Sequence, residues 1–235
     1  NTYDNAVIEN SKISEKNKIQ NEQSMLDDIM NSTQYPKQLK DLALKNEEAL
    51  EFVYDYPAEH VKEHTIDLTE EASMDSVPLF VQWDKRWGYE KYSGNFFAAS
   101  GCGPTTLSMV VVYLTHNREA SPIAVAKYSK EAGYSVDGSG SSWTLISEGC
   151  MHYGVKAKAV ALDESRMKAE LDAGHPIVVN VGPGDFTDTG HFMVITGYDD
   201  EGFSINDPNS IEKSGKRWLF RNMSSQIRAV WSMYV

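Results

Sequence analysis

The sequence predicts an α+β protein, in which a helical half packs on an antiparallel sheet and an N-terminal helical extension comes first. Two changes of pattern indicate this fold class. In residues 23–56 and again in residues 102–153, apolar side chains recur every three to four positions, as on one face of a helix, whereas after Gly174 they tend to alternate, as in strands. Helices followed by strands are typical of an α+β domain with an antiparallel sheet.

The composition excludes several classes of function. Apolar residues make up 41% of the chain, but the longest clean apolar run, residues 109–114, is far shorter than a membrane span of ~18 residues. We therefore expect no stable membrane insertion. The net charge of −12 is uneven, since residues 1–75 hold 17 acidic and 7 basic side chains and residues 76–235 hold 17 and 15. The second part thus lacks the basic surface of nucleic-acid-binding proteins.

Residues 1–75 are predicted to form an acidic helical extension and strap, and residues 76–235 the main domain. The first 22 residues are polar and are expected to be a poorly packed or partly helical leader. Helical spacing follows as far as residue 56, and Pro57 is expected to end it. We expect these helices to pack on the chain's own main domain as a clamp. An inhibitory prosegment and a partner-binding arm are the alternatives.

The main domain is expected to begin with an extended segment and to continue with helices and then strands. The helices are predicted from Cys102 to about His116 and over residues 121–132, 143–153 and 164–173. The strands are predicted over residues 155–160, 176–181, 192–198, 203–206 and 229–234.

Cys102 lies between Gly101 and Gly103 and directly before Pro104, at the start of a long apolar helix. The glycines permit a tight turn with close backbone approach, and proline suits the first helical turn. At that position the positive end of the helix dipole favours a thiolate, and unpaired N–H groups can face an oxyanion. Cys102 is therefore either an activated nucleophile or a small hydrophobic residue in a turn, and a base within reach would decide between them.

Among six histidines, His191 is the best candidate for that base. His116 lies 14 residues further along the same helix than Cys102, which is about 21 Å at a rise of ~1.5 Å per residue. His191 directly follows Gly190 and opens a hydrophobic strand, which would hold an imidazole at the rim of a sheet. His175, at the start of an earlier strand, is the alternative.

Asp207 is the candidate for the group that orients His191. A hairpin folds Asp207 back beside the strand of His191, where its carboxylate could accept a hydrogen bond from Nδ1–H. The length of the turn decides the outcome: a three-residue loop would set Asp207 opposite Ile195, on the face of His191, and a two- or four-residue loop would turn it away. Asn206 is the fallback.

A metal site and a disulfide are the competing hypotheses for these residues. Asp185, Asp188 and His191 have a metal-like spacing, but nearby glycines and a proline indicate a loop, and no second His or Cys accompanies them. Cys102 and Cys150 could form one bridge, which would consume the thiol. We expect Cys150 to be a buried free thiol, and no metal or cofactor to be required.

Six short motifs follow one another through the main domain. They are VP…QWDKRW (77–87), GCGPTTLSM (101–109), GSSW (140–143), GHPIV (174–178), GHFMVITGY (190–198) and NDP (206–208). A lone GCGP would be a weak signal, but six motifs in series are specific. Together they resemble the C39-like peptidase family, a bacterial branch of the papain-like cysteine peptidases. The resemblance implies a papain-like fold over about residues 77–235.

The resemblance also implies a role for each matching residue. It makes Cys102 the nucleophile, His191 the general acid and base, and Asp207 the orienting carboxylate. Gln82 would be the oxyanion-hole side chain, although it lies 20 residues before Cys102, further than in papain, and a capping role is its alternative. The residues expected to line the substrate cleft are Trp143, Ser142 and Gly190.

These roles predict a thiol hydrolase that cleaves a peptide or amide bond in a peptide or protein substrate. Acyl transfer or amidase chemistry on cell-wall peptides with the same triad is one alternative, and a catalytically idle peptide-binding module is another. The sequence begins with Asn1 rather than Met, which removal of a secretory signal would explain, as would trimming of the sequence; we favour the signal. A location outside the cell or at its surface would follow.

Overall fold

The computed structural model describes the backbone of residues 2–235 and the side chains of residues 11–235. The chain divides into two units between Lys62 and Glu63. Residues 63–75, which the sequence assigns to the extension, belong to the second unit, where Leu68 and Ala72 are buried in the core. The domain boundary at residue 75 itself stays a prediction.

The first unit is helical, as the spacing of its apolar residues predicts. Its helices are α1 (Thr2–Asn31), α2 (Lys37–Lys45), α3 (Leu50–Tyr54) and α4 (Tyr56–Glu59). Ile29, Leu39 and Val53 are fully buried among them. The helix that holds Leu50 and Val53 ends at Tyr54, ahead of Pro57, as predicted. Pro57 itself lies in the first turn of the short helix α4, where its missing N–H leaves no hydrogen bond unmade.

The second unit combines helices with a sheet. Its helices are α5 (Phe97–Ser100), α6 (Cys102–Thr115), α7 (Pro122–Glu131), α8 (Thr144–Ser147), α9 (Glu164–Asp172), α10 (Ile211–Ser214) and α11 (Phe220–Met223). Helix α6 is buried along most of its length, because its side chains are apolar or small on every face. The helix predicted over 143–153 is two pieces, α8 and a 3₁₀ helix over Gly149–Tyr153.

The strands of the second unit are β1 (Lys91–Tyr92), β2 (Asn95–Phe96), β3 (Ser135–Val136), β4 (Gly140–Ser141), β5 (Lys156–Ala159), β6 (Ile177–Val181), β7 (His191–Asp199), β8 (Gly202–Asn206), β9 (Arg217–Trp218) and β10 (Ile227–Tyr234). Six of them form one antiparallel sheet in the order β5-β10-β6-β7-β8-β9. The hairpins β1–β2 and β3–β4 are separate from this sheet. The predicted α+β class, with a helical N-terminal segment, is confirmed.

Alternate residues of the sheet belong to two separate cores. Val178, Phe192 and Val194 are part of the larger core, which also contains the apolar side chains of α6. Val179 and Met193, which point the other way, are part of the smaller one. Across residues 2–235, no helix combines the length and the apolar character that a membrane crossing needs.

A polar cluster around Glu170 ties α9 to the sheet. Glu170 accepts hydrogen bonds from Lys158 Nζ at 2.8 Å and from Ser232 Oγ at 2.7 Å, and its Oε2 lies 3.0 Å from His175 Nδ1. The hydrogen bonds of Lys158, His175 and Ser232 lower the pKa of Glu170 to about 2. The second candidate base, His175, is thus held in a structural cluster.

We expect Glu170→Gln to lower the free energy of unfolding by about 1–3 kcal/mol at pH 7, because the carboxylate loses its ionic hydrogen bonds. A depressed carboxyl pKa stabilises the fold above the unfolded value, near 4.5, and this contribution disappears as the pH falls toward about 2. Urea unfolding at pH 7 and pH 3 measures the difference. Glu164→Gln on the same helix is the control, since Glu164 is half exposed. An equal loss at both pH values would assign the effect to packing instead of charge.

Candidate active site

Cys102 is the first residue of α6, as predicted, and its side chain is half-buried. The flanking glycines are required by close packing. A Cβ on Gly101 would lie 2.6 Å from the ring of Phe97, and a Cβ on Gly103 would lie 2.6 Å from Ser141 Oγ. The turn into α6 therefore admits no larger residue on either side of Cys102 without moving its neighbours.

The Cys102 thiol lies beside the side chain of His191 and the backbone N–H groups of Phe192 and Gly103. Burial raises the pKa of the thiol, but the polar contacts with these groups and the charge of His191 lower it overall, below its usual value of 9.0. Cys150 contrasts with it: it is fully buried, and burial raises its pKa to about 11. Both cysteines are free thiols, so the structure contains no bridge between them.

His191 opens β7 and is only 6% exposed. Its Nε2 lies 2.7 Å from Oδ1 of Asp207, which leaves Nδ1 for the thiol. The structure therefore corrects the expectation that Nδ1 faces the carboxylate. The thiol also lies beside the N–H of Phe192, next to the backbone of β7, where Nδ1 is the nearer ring nitrogen.

The protonation of His191 is set by two opposing effects. Burial lowers its pKa, but the charge and hydrogen bond of Asp207, together with Cys102, raise it to about 10. With the pKa of the thiol lowered and that of the imidazole raised, a thiolate–imidazolium pair is favoured near neutral pH.

A β-bulge in β7 brings Asp207 to the face of His191. The turn between β7 and β8 holds two residues, since Asp199 pairs with Gly202, and two residues were expected to turn Asp207 away. However, the register shifts by one at Thr196, so that Ile195 pairs with Ile205. Asp207, two residues beyond Ile205, consequently shares the face of His191.

Asp207 is fully buried and fixed on several sides. Besides His191, its Oδ1 accepts a hydrogen bond from the N–H of Asn209 at 2.8 Å, and its own N–H donates to Ser214 Oγ at 2.9 Å. Its Oδ2 has no hydrogen-bond partner among the residues that the structure describes. The fallback residue, Asn206, donates instead to the backbone carbonyls of residues 77 and 78.

Gln82 links the two halves of the site and is only 4% exposed. Its backbone N–H donates to the carbonyl of Pro208 at 2.7 Å, and its Nε2 donates to the carbonyl of Ala98 at 2.8 Å. It thereby joins the loop that follows Asp207 to the turn that leads into Cys102. Its side chain does not line the cleft described next, and within the described residues its Oε1 has no hydrogen-bond partner.

A cleft of about 600 Å³ opens beside Cys102. Trp143 and Gly190 line it, whereas Ser142 does not, because its Oγ lies 2.6 Å from Thr144 Oγ1, in the turn before α8. The neighbouring Ser141 lines the cleft in its place. The binding roles of Trp143, Ser142 and Gly190 stay predictions.

The segment considered as a metal site has other contacts. The carboxylate of Asp185 accepts a hydrogen bond from Gln226 Nε2 at 2.7 Å, and the His191 ring faces Asp207 and Cys102. Among the side chains of residues 11–235, no group of three His, Cys, Asp or Glu is arranged to hold a metal ion.

Two further cleft residues, Asn180 and Arg228, were not indicated by the sequence. Asn180 lies on β6 and Arg228 on β10, and the pairing of these two strands brings both side chains to the cleft. The one signal for Asn180 is a polar residue within the apolar run 176–181. Nothing in the local sequence distinguishes Arg228 from an ordinary solvated arginine.

Comparison with known proteins gave one family and several similar structures, two of which are described. Residues 74–235 match the Peptidase_C39 like family. No curated protein matches the sequence. The peptidase domain of Streptococcus ComA, a bi-functional ABC transporter involved in a quorum sensing pathway, is 18% identical, with 67% of this chain and 96% of that chain covered and a TM-score of 0.47. A C39-like peptidase from Bacillus anthracis is 18% identical, with 68% and 95% covered and a TM-score of 0.41.

Proposed function

The chain belongs to the Peptidase_C39 like family, and on this premise we propose that its second unit is a thiol hydrolase that cleaves a peptide or amide bond. One observation carries the proposal. The Cys102 thiol lies beside His191, whose Nε2 is hydrogen-bonded to the buried carboxylate of Asp207 at 2.7 Å, and the thiol borders an open cleft. A nucleophile, a base and an orienting group within reach of one another are the requirement for covalent catalysis by a thiol.

In the proposed reaction, Cys102 Sγ attacks the carbonyl carbon of the scissile bond as a thiolate. The negative charge moves to the carbonyl oxygen, which would be stabilised by backbone N–H groups at the start of α6 and by Gln82. As the C–N bond breaks, Nδ1 of His191 gives its proton to the leaving amine and a thioester forms. His191 then takes a proton from water, which attacks the thioester and releases the acid and the thiol.

Asp207 would act by holding the imidazole. Its Oδ1 is bonded to Nε2 of His191 at 2.7 Å, so the ring cannot turn Nδ1 away from Cys102 without losing this bond. The negative charge of Asp207 also favours the imidazolium that the first step needs. Asp207 is therefore proposed as a positioning residue, since nothing places it in contact with the substrate.

We expect Gln82→Ala to lower kcat about 100-fold while leaving KM within a few-fold, because an oxyanion donor acts mainly in the transition state. Nε2 uses one proton on Ala98 and has a second for the oxyanion. Peptide turnover should fall while the rate of Cys102 labelling by iodoacetamide stays unchanged. Gln226→Ala, which removes a glutamine bonded to Asp185, is the control. If labelling and melting temperature fall in step with turnover, Gln82 supports the turn instead of the oxyanion.

Hydrolysis and acyl transfer can be separated by their products. The protein is incubated with a mixed peptide library in H₂¹⁸O, with and without an added amine acceptor, and the products are identified by mass spectrometry. Hydrolysis predicts ¹⁸O in the new carboxyl ends, whereas a transpeptidase would give amide products that increase with the amine. A protein whose Cys102 reacts with iodoacetamide but which turns over no peptide in either condition would favour the idle binding module.

A further inference from the structure

The cleft beside Cys102 contains a single cation. Among the described residues that line it, Arg228 is the only lysine, arginine, aspartate or glutamate. Its side chain is exposed and forms no ion pair with any residue that the structure describes. Because no acidic side chain is among the described residues that line the cleft, the charge of Arg228 is not neutralised there.

The backbone holds Arg228 in this position by means of a bulge. In the pairing of β10 with β6, Ile227 lies opposite Val181 and Ala229 lies opposite Asn180, so Arg228 is the extra residue between them. A bulge redirects the side chain it carries, and bulges are common beside active sites. The strand pairing thus departs from its regular form at the residue that lines the cleft.

A glycine makes room for the guanidinium. A Cβ built on Gly182 would lie 2.2 Å from Nε of Arg228 and 2.5 Å from its Cζ. A side chain at position 182 would displace the guanidinium, so the glycine leaves the space in which Arg228 packs against the backbone that follows β6. An arginine with such a packing contact loses less conformational entropy when it binds an anion.

The position of Arg228 in the sheet indicates its distance from the scissile bond. The strand order β10-β6-β7 places it two strands from His191, a lateral distance of about 10 Å at ~4.8 Å per strand. Asn180, on the strand between them, also lines the cleft and donates to the carbonyl of His191 at 3.2 Å. An extended peptide rises ~3.3 Å per residue, so Arg228 would meet a group within about three residues of the cleaved bond.

We propose that Arg228 is a specificity-determining residue that binds a carboxylate of the peptide substrate, within about three residues of the bond attacked by Cys102. The proposal rests on the function proposed above for the same cleft. A guanidinium forms two parallel hydrogen bonds with a carboxylate and binds it more strongly than it binds a neutral amide. The carboxylate belongs either to an Asp or Glu side chain or to the C-terminus of the peptide.

Peptide pairs that differ only in charge test this proposal. Once a cleaved sequence is found, Glu and Gln versions are compared at each of the three positions on both sides of the bond. We expect one position at which Glu raises kcat/KM about tenfold to a hundredfold over Gln. Arg228→Gln should reduce this ratio to near one, and Arg228→Glu should invert it. Arg221→Gln is the matched control, since Arg221 is exposed and does not line the cleft.

A binding measurement makes the test independent of turnover. Fluorescently labelled hexapeptides with blocked ends, in Glu and Gln versions, are titrated against full-length Cys102→Ala, with and without Arg228→Gln. A second series compares free-acid and amidated C-termini, which distinguishes the two sources of the carboxylate. Preference for either carboxylate that disappears with Arg228→Gln supports the proposal even if no peptide is cleaved. Equal binding of charged and neutral peptides overturns the proposal, and so does a preference that survives Arg228→Gln. Cleavage without any preference for a carboxylate also overturns the role of Arg228 but leaves the proposed hydrolase intact.

Discussion

Replacement of Cys102 by alanine is expected to lower kcat/KM for peptide hydrolysis at least about 10⁴-fold, because it removes the sulfur atom proposed to attack the carbonyl carbon. The imidazole of His191, the N–H of Gly103 in α6 and the N–H of Phe192 in β7 all lie beside the Cys102 sulfur. Alanine removes only the sulfur, so the fold and the cleft should persist. The measurement is the rate of peptide cleavage, with melting temperature recorded to confirm that the variant is folded.

The same thiol should reveal its thiolate character without any substrate. Since the pKa of Cys102 lies below 9.0 and that of His191 is raised to about 10, we expect iodoacetamide to alkylate Cys102 at pH 6–7 faster than it alkylates N-acetylcysteine. Cys150 is an internal control, because it is fully buried and its pKa is raised to about 11. Alkylation of Cys102 no faster than the small thiol, or cleavage that survives Cys102→Ala, would contradict the proposed mechanism.

The sequence predicts the positions of some residues of this site better than those of others. Cys102 and His191 are marked by their immediate neighbours: glycines and a proline start a helix at the first, and a glycine followed by an apolar run starts a strand at the second. Such short-range patterns depend on backbone geometry and capping, which act over a few residues. Both were therefore placed correctly at the beginning of their elements.

Asp207 could not be placed from the sequence with the same certainty, because its orientation depends on register. The two-residue turn alone would have put Asn206 on the face of His191. The bulge at Thr196 reverses that result, and no feature of the local sequence requires a bulge there. Register is decided by the packing of whole strands, as is the meeting of Asn180 and Arg228 at the cleft.

The geometry around Asp207 leads to the second large effect. We expect Asp207→Asn to lower kcat/KM at neutral pH about 10²- to 10⁴-fold. The substitution leaves Cys102 and His191 unchanged, and the new carboxamide has the same shape as the carboxylate that it replaces. Burial lowers the pKa of His191, and the carboxylate of Asp207 is the main influence that raises it. Without that charge, the imidazolium of His191 would lose its proton at a much lower pH. The thiolate then loses its partner, so the pKa of Cys102 should rise.

Two pH profiles test this chain of effects. In the unmodified protein, kcat/KM is expected to rise through the thiol pKa, below 9.0, and to fall as His191 loses its proton near pH 10. In Asp207→Asn the alkaline limb should move to lower pH, and the pH dependence of Cys102 alkylation should move to higher pH. Asp199→Asn is the matched control, because Asp199 pairs with Arg217 at the far end of β7.

Shifts of the two pH midpoints in opposite directions would distinguish a positioning role of Asp207 from a purely structural role. If Asp207 only supported the fold, Asp207→Asn would lower the melting temperature and the amount of active protein, and both profiles would keep their midpoints. A charge that acts through His191 must move both midpoints, since the thiol and the imidazole are neighbours whose pKa values depend on each other. Unmoved midpoints with reduced activity would therefore remove Asp207 from the mechanism, while its contact with Nε2 would remain a structural one.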